Sequence, residues 1–212
     1  MIDYLDALDK QLMLLLNHDG GALQDELWWY VSASTTWIPL YVLLLGLLCY
    51  QCRPLGTGWK HLVLLVLTTV LVAVLSDQVS AGIIKPLVCR PRPTQPDSGI
   101  SDLIHCVHGY RGGHYGFVSS HATNVWSLTL WFILLWRKSA GFRPLKRGTD
   151  IVLGLLVVYT LSNCYSRIYL GVHYPGDILG GLLTGTLIAL FCYYVVYLNV
   201  KKRLIAPSTE KI

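Results

Sequence analysis

LWWYVSASTTWIPLYVLLLGLLCY, residues Leu27–Tyr50, carries no charged side chain over its 24 residues. At about 1.5 Å of rise per residue a helix of that length reaches roughly 36 Å, enough to cross a hydrocarbon core about 30 Å thick. The stretch therefore reads as a membrane-crossing helix, and the rest of the chain agrees with it. Of the 212 residues 53% are apolar and only 14% are charged, against about 25% charged in soluble domains. The fold class that follows is all-α, a polytopic membrane helical bundle of about five transmembrane helices preceded by an N-terminal amphipathic interfacial helix, with residues 1–212 forming a single membrane-integral domain.

On the N-terminal side, Leu5, Leu8, Leu12, Leu15 and Leu16 recur at helical spacing, with Asp3, Asp6 and Lys10 on the other face. Residues 1–26 thus read as an amphipathic segment lying on the membrane surface. Their acidic residues (Asp3, Asp6, Asp9, Asp19, Asp25 and Glu26, against Lys10 alone) are the reverse of a secretory leader's basic start, so no cleaved signal is expected. Trp28, Trp29 and Tyr30 form an aromatic cluster suited to the headgroup level.

On the C-terminal side, a second apolar run from His61 to Ile84 stops at Lys85-Pro86, where a helix is expected to end. Residues 86–116 are rich in proline and glycine and too long for a turn, which marks an outward-facing functional loop or lid. Further crossings read as Tyr115–Trp136, Ile151–Tyr165 and Ile178–Val200. Orientation follows from counting basic residues: the segments 51–60, 137–150 and 201–212 hold 11 of the 17 Lys and Arg and belong on the cytoplasmic side. The net charge of +5 is thus spread over membrane-flanking loops rather than one soluble basic face, so no nucleic acid is expected as a partner. No obligate protein partner is expected either; the partner that the composition implies is the bilayer.

This topology sends three polar clusters to the same outward surface. They are Lys85-Pro-Leu-Val-Cys-Arg-Pro-Arg92-Pro93, Val118-Ser119-Ser120-His121 and Ser166-Arg167-Ile-Tyr-Leu-Gly-Val-His173-Tyr-Pro-Gly-Asp177. Ionisable groups are costly in a membrane and mark functional sites there. Together the clusters resemble the type 2 phosphatidic acid phosphatase superfamily, whose signature is Lys, six residues, Arg-Pro; then Pro-Ser-Gly-His; then Ser-Arg, five residues, His, three residues, Asp. Lys85 with Arg92-Pro93 matches the first part, and Ser166-Arg167, His173 and Asp177 match the third. The second keeps Ser119 and His121 but has Val118 for the proline and Ser120 for the glycine. The resemblance implies a lipid phosphatase whose substrates include isoprenyl diphosphates, phosphatidate or phosphatidylglycerol phosphate, or the phosphates of lipid A.

The residues support the same chemistry. Phosphoryl transfer is catalysed by positioning and by neutralising charge on phosphate oxygens, and Lys85, Arg92 and Arg167 can do both. Ser119 and Ser120, at a helix start, add hydroxyls and free backbone N–H groups for an anion. A neutral His173 can attack phosphorus to give a phosphohistidine that water then hydrolyses, Asp177 can hold its other ring nitrogen, and His121 is left to protonate the leaving oxygen. The scheme calls for no metal and no cofactor. Expected is a metal-independent lipid phosphatase of a bacterial-type inner membrane, with its site facing the periplasm or exterior. A phosphotransferase using the same site and a lipid-phosphate binding or flipping protein are the alternatives.

Other polar residues read more blandly. Asp77 is expected to buttress a basic site residue by a hydrogen bond, and Arg90 and Arg111 to be solvated or to meet headgroups. His105, Cys106, His108 and His114 match no zinc spacing. Cys89 and Cys106 share the outward side, either as free thiols or as a disulfide.

Overall fold

A computed structural model of the chain describes residues 2–52, 58–138 and 148–205. Its helices are α1 (Ile2–Leu16), α2 (Ala22–Ser32), α3 (Ser34–Cys52), α4 (Gly58–Asp77), α5 (Lys85–Val88), α6 (Ser120–Lys138), α7 (Gly148–Tyr169), α8 (Pro175–Leu190) and α9 (Leu198–Ile205). Wider π turns at Gln78–Ile84 and Phe191–Tyr197 join α4 to α5 and α8 to α9 without ending either rod. Part of the basic segments that orient the chain, residues 53–57, 139–147 and 206–212, lies outside the described residues.

Three described helices are long and apolar enough to cross a membrane: Trp59–Val88, Ile151–Tyr169 and Pro175–Leu204. Leu27–Tyr50 is not one straight rod. It breaks at Ala33, where ψ swings to 119°, and α2 and α3 form a bent pair that makes a fourth span if counted as one. Ser32-Ala33-Ser34-Thr35-Thr36 supplies hydroxyls that compete for backbone groups, a cue that a hydropathy count passes over.

The expected third crossing, α6, is less apolar because it packs on α4, α7 and α8 rather than on lipid. Several of its polar side chains bond to those neighbours. Ser127 meets Ser76 at 2.6 Å, Thr129 meets Thr160 at 2.9 Å, and Trp126 and Trp131 donate to Thr186 and Thr69 at 2.7 and 3.0 Å. Gly181 and Gly185 bring α8 against α6: a Cβ on either would stand 2.8 Å from a carbonyl oxygen, of Ser119 and Thr123 respectively. This close approach sets the starts of α6 and α8 side by side, and Ser119 N–H donates to the Asp177 carbonyl at 3.0 Å.

Two further boundaries differ from the sequence expectation. Pro86 does not stop the second crossing, because it falls in the first turn of α5, where its missing N–H costs nothing; the helix ends at Cys89, in the left-handed conformation. The fourth crossing runs on to Tyr169, so Arg167 lies in its last turn. There Gly171 N–H bonds the Ile168 carbonyl and Val172 N–H the Arg167 carbonyl, the paired closure that a glycine with positive φ (77°) allows. That closure delivers His173 to the start of α8. A Cβ at Gly171 would lie 2.6 Å from Ile104 Cγ2 and 3.0 Å from the His105 carbonyl oxygen. Gly171→Val is therefore expected to cost about 1–3 kcal/mol and to lower the detergent melting temperature, with a loss of phosphate release that parallels it.

α1 carries its leucines outward, as an interfacial helix should: Leu5, Leu8, Leu12 and Leu15 are exposed while Met13 and Asn17 are buried. Its acidic face, however, meets protein. Trp28 and Trp29 also turn inward, Trp28 against Tyr165 (4.8 Å between centroids) and Trp29 against Tyr110 (5.4 Å), whereas Tyr30 stays exposed.

Candidate active site

His173 lies 1% exposed between the end of α7 and the start of α8, in the segment Val172–Tyr174. Its Nδ1 sits 3.3 Å from Oδ2 of Asp177, one helical turn on, and the same oxygen accepts the Tyr174 N–H at 3.1 Å. This second bond is half of a capping box, so the carboxylate that caps α8 also faces the imidazole. With Nδ1 turned to Asp177, Nε2 is the nitrogen left to react.

Lys85, Arg92, Arg167 and His121 all act electrostatically on His173. Burial, first, and then the cations Arg92, Arg167 and Lys85 hold the His173 pKa well below its ordinary 6.5, so the ring is neutral at cellular pH. Lys85 arrives from the end of the second span and Arg167 from the last turn of α7. Arg92 belongs to the loop, held by its Nε bond to the Tyr115 carbonyl (3.1 Å) and by Nη1 toward the Val172 carbonyl (3.5 Å). His121, in the first turn of α6, donates to the Ser32 carbonyl.

A cavity of about 260 Å³ opens beside them, lined by Trp29, Ser32, Ser34, Tyr110, His121 and Arg167. Arg167 donates to the Ser32 hydroxyl and to Tyr110, yet its Nε has no partner among the described residues. Ser120 Oγ is likewise buried without a partner, whereas Ser119 Oγ caps α6 by accepting the Ala122 N–H at 3.4 Å. Unsatisfied buried donors are rare and call for a ligand or water. Asp177, the carboxylate beside His173, is paired with Arg90 at 3.0 Å, and of the three cations Arg167 lines the cavity itself.

The structure thus sets Lys85, Arg92, Arg167, His121 and Asp177 around His173, with Ser119 bonded to the Asp177 carbonyl, and it corrects two bland readings. Arg90 is not solvated: it bridges Asp6 (2.9 Å), Asp9 (2.7 Å) and Asp177. Asp77 is exposed, with its carboxylate on Gln78 Nε2 (3.5 Å) rather than on Lys85. The loop is pinned rather than free, Asn17 bonding both the N–H and the carbonyl of His105 (2.7 and 3.1 Å). Arg111 is exposed as expected, and Cys89 and Cys106 are free thiols. His105, His108 and His114 pair separately with Asp25, Glu26 and Asp97. Among the described residues, Asp19, Asp25 and His105 form a group whose ligand atoms lie within 4.8 Å of one another, at the α1–α2 turn and outside the lining of the cavity.

Ser32, Tyr110 and Trp29 are the lining residues that motif reading missed. Each reaches the cavity by tertiary packing, and a lone serine, tyrosine or tryptophan in an apolar run carries no signal of its own.

Residues 61–201 match the sequence model of the PAP2 superfamily. The chain is 32% identical over 197 residues to a lipid A 4'-phosphatase of Bacteroides thetaiotaomicron, covering 93% of this chain and 80% of that protein. It is also 32% identical over 207 residues to a lipid A 4'-phosphatase of Porphyromonas gingivalis, covering 98% and 80%. The crystal structure of a transmembrane PAP2 type phosphatidylglycerolphosphate phosphatase from Bacillus subtilis superposes with a TM-score of 0.60 at 20% identity, covering 91% of this chain and 84% of that one; this likeness speaks for the fold.

Proposed function

The chain belongs to the PAP2 superfamily, and from that premise we propose that it is an integral membrane phosphatase that removes a phosphate from a lipid in the outward leaflet through a phosphohistidine on His173. The observation that carries the reading is the set of three cations, Lys85, Arg92 and Arg167, around a buried neutral imidazole whose Nδ1 is turned to a carboxylate.

In the first step Nε2 of His173 forms a bond to phosphorus as the bond from phosphorus to the lipid oxygen breaks. His121, which takes up a proton once the substrate's negative charge offsets the surrounding cations, passes it to that oxygen. Asp177 accepts the Nδ1–H and stabilises the positive charge that the ring acquires. Lys85, Arg92, Arg167 and the helix start at Ser119 and Ser120 neutralise the equatorial oxygens, the work that a divalent metal does in other phosphoryl-transfer sites. In the second step neutral His121 takes a proton from water, the water oxygen bonds to phosphorus, and the bond to Nε2 breaks to release inorganic phosphate.

All 212 residues act in this reading as one membrane domain, in an inner membrane with the cavity toward the periplasm. What supports this orientation is the count of basic residues along the sequence, 11 of 17 falling in the segments 51–60, 137–150 and 201–212 that favour the cytoplasm. Similarity to the two lipid A 4'-phosphatases makes a lipid A phosphate the first substrate to try. The test is phosphate release by purified protein from lipid A, phosphatidate, phosphatidylglycerol phosphate and undecaprenyl diphosphate, with His173→Ala as the blank and EDTA added. Release from at least one lipid that EDTA leaves unchanged is expected. Activity lost to EDTA and restored by a divalent ion overturns the metal-free scheme, and lipid phosphate bound without turnover overturns the enzymatic one.

A further inference from the structure

We propose that Arg90, clamped by Asp9 of the N-terminal helix, is a positioning residue that holds the Asp177 carboxylate for His173, making α1 a working part of the catalytic apparatus. The proposal rests on the roles of His173 and Asp177 given above.

The geometry divides the two oxygens of Asp177. Oδ2 serves His173 and the Tyr174 N–H, while Oδ1 accepts from Arg90 Nη1 at 3.0 Å. The same Nη1 donates to Asp9 Oδ2 at 2.7 Å, and Nη2 donates to Asp6 Oδ1 at 2.9 Å. Asp9 is itself tied to the start of α8, its Oδ1 accepting the Gly176 N–H at 2.7 Å. The guanidinium lies 4.0 Å over the Tyr174 ring, so it is fixed from below as well as from its edges. Asp6 is held in turn by Lys10 at 2.9 Å. Burial of Arg90 works against its charge, but Asp177, Asp9 and Asp6 outweigh that and raise its pKa, so it stays cationic at any working pH.

The physical need is plain. Asp177 is 0% exposed and lies within electrostatic reach of Lys85 and Arg92, the cations meant for phosphate. Without a cation of its own on Oδ1, the carboxylate would be free to rotate and withdraw Oδ2 from His173. Arg90, outside the lining of the 260 Å³ cavity, supplies that cation, and Asp9 and Asp6 fix Arg90 in place. Arg90 stands two residues before Arg92, yet its contacts make it a partner of Asp177 rather than of substrate.

The test uses full-length protein in detergent and follows phosphate release together with competitive inhibition by inorganic phosphate. Arg90→Met is expected to lower kcat about 100-fold, below the roughly 10⁴-fold cost of spoiling an orienting aspartate itself. KM and the inhibition constant for phosphate should stay within about threefold. Arg90→Lys should restore most of the rate, and Asp9→Asn should lose about tenfold, which keeps the proposal open to test should Arg90→Met fold poorly. Because Arg90 acts through Asp177, Arg90→Met combined with Asp177→Asn should be no slower than Asp177→Asn alone. Additive losses, or phosphate inhibition weakened along with kcat, overturn the proposal. Asp177→Asn with full activity would instead overturn the underlying assignment of His173 and Asp177.

Discussion

His173→Ala should reduce phosphate release by at least about 10³-fold while leaving inorganic phosphate able to bind. The substitution removes the nucleophile but none of the groups that hold the anion: Lys85, Arg92 and Arg167 come from three other places in the chain, and none depends on the imidazole for its own contacts. Wild-type protein incubated with labelled lipid phosphate and quenched in detergent at alkaline pH, where the phosphorus–nitrogen bond survives, should carry label on His173, and the variant should carry none. The pH profile adds a sign. The folded site holds the imidazole neutral because its pKa is depressed well below 6.5, and only the neutral ring attacks. The reaction should therefore persist as pH falls through 6.5 and fail only at lower pH, as the ring takes up a proton. A low-pH limb at or above 6.5 that appears in the rate of His173 labelling as well as in kcat/KM would contradict a buried neutral nucleophile.

The same electrostatics explain why some of this site could be read from the chain and some could not. Arg167, His173 and Asp177 are local: one helix end, one glycine closure and one helix start place them, and all three signals lie within twelve consecutive residues. Lys85 and Arg92 bracket a helix end in the same way. What local spacing cannot encode is who compensates whom. Arg90 finds Asp9 across 81 residues and Asp177 across 87, and Arg167 finds Ser32 across 135. The acidic stripe of α1 has the pattern of a solvated face, because amphipathicity tells which side is polar and not what that side touches. Membrane crossings show the matching limit. Hydropathy identifies the apolar rods well, but it took Leu27–Tyr50 as straight, whereas its hydroxyl-rich middle bends and sets Ser32 over the cavity. It also counted Tyr115–Trp136 as a crossing like the others, without showing that Ser127 and Thr129 of α6 are spent on Ser76 of α4 and Thr160 of α7.

For His121→Ala the expected outcome depends on the leaving group, which separates a proton donor from a merely structural histidine. A lipid or sugar oxygen leaves as a poor, strongly basic alkoxide unless it is protonated, so loss of the acid should slow the first step by about 10²–10⁴-fold. An aryl phosphate with an acidic phenol needs no proton, and its first step should run at close to the wild-type rate. His121 is also the base that draws a proton from water in the second step, and nothing about the leaving group repairs that. Mixed with p-nitrophenyl phosphate in a rapid-mixing instrument, the variant should therefore release about one phenolate per protein in a fast burst and then turn over slowly, with phosphohistidine accumulating. Wild-type protein should show little or no burst by comparison. Equal slowing of the first step with lipid and aryl substrates would assign His121 to shaping the cavity through its bond to the Ser32 carbonyl rather than to moving protons. A full burst followed by rapid turnover would leave the second step without the base assigned to it.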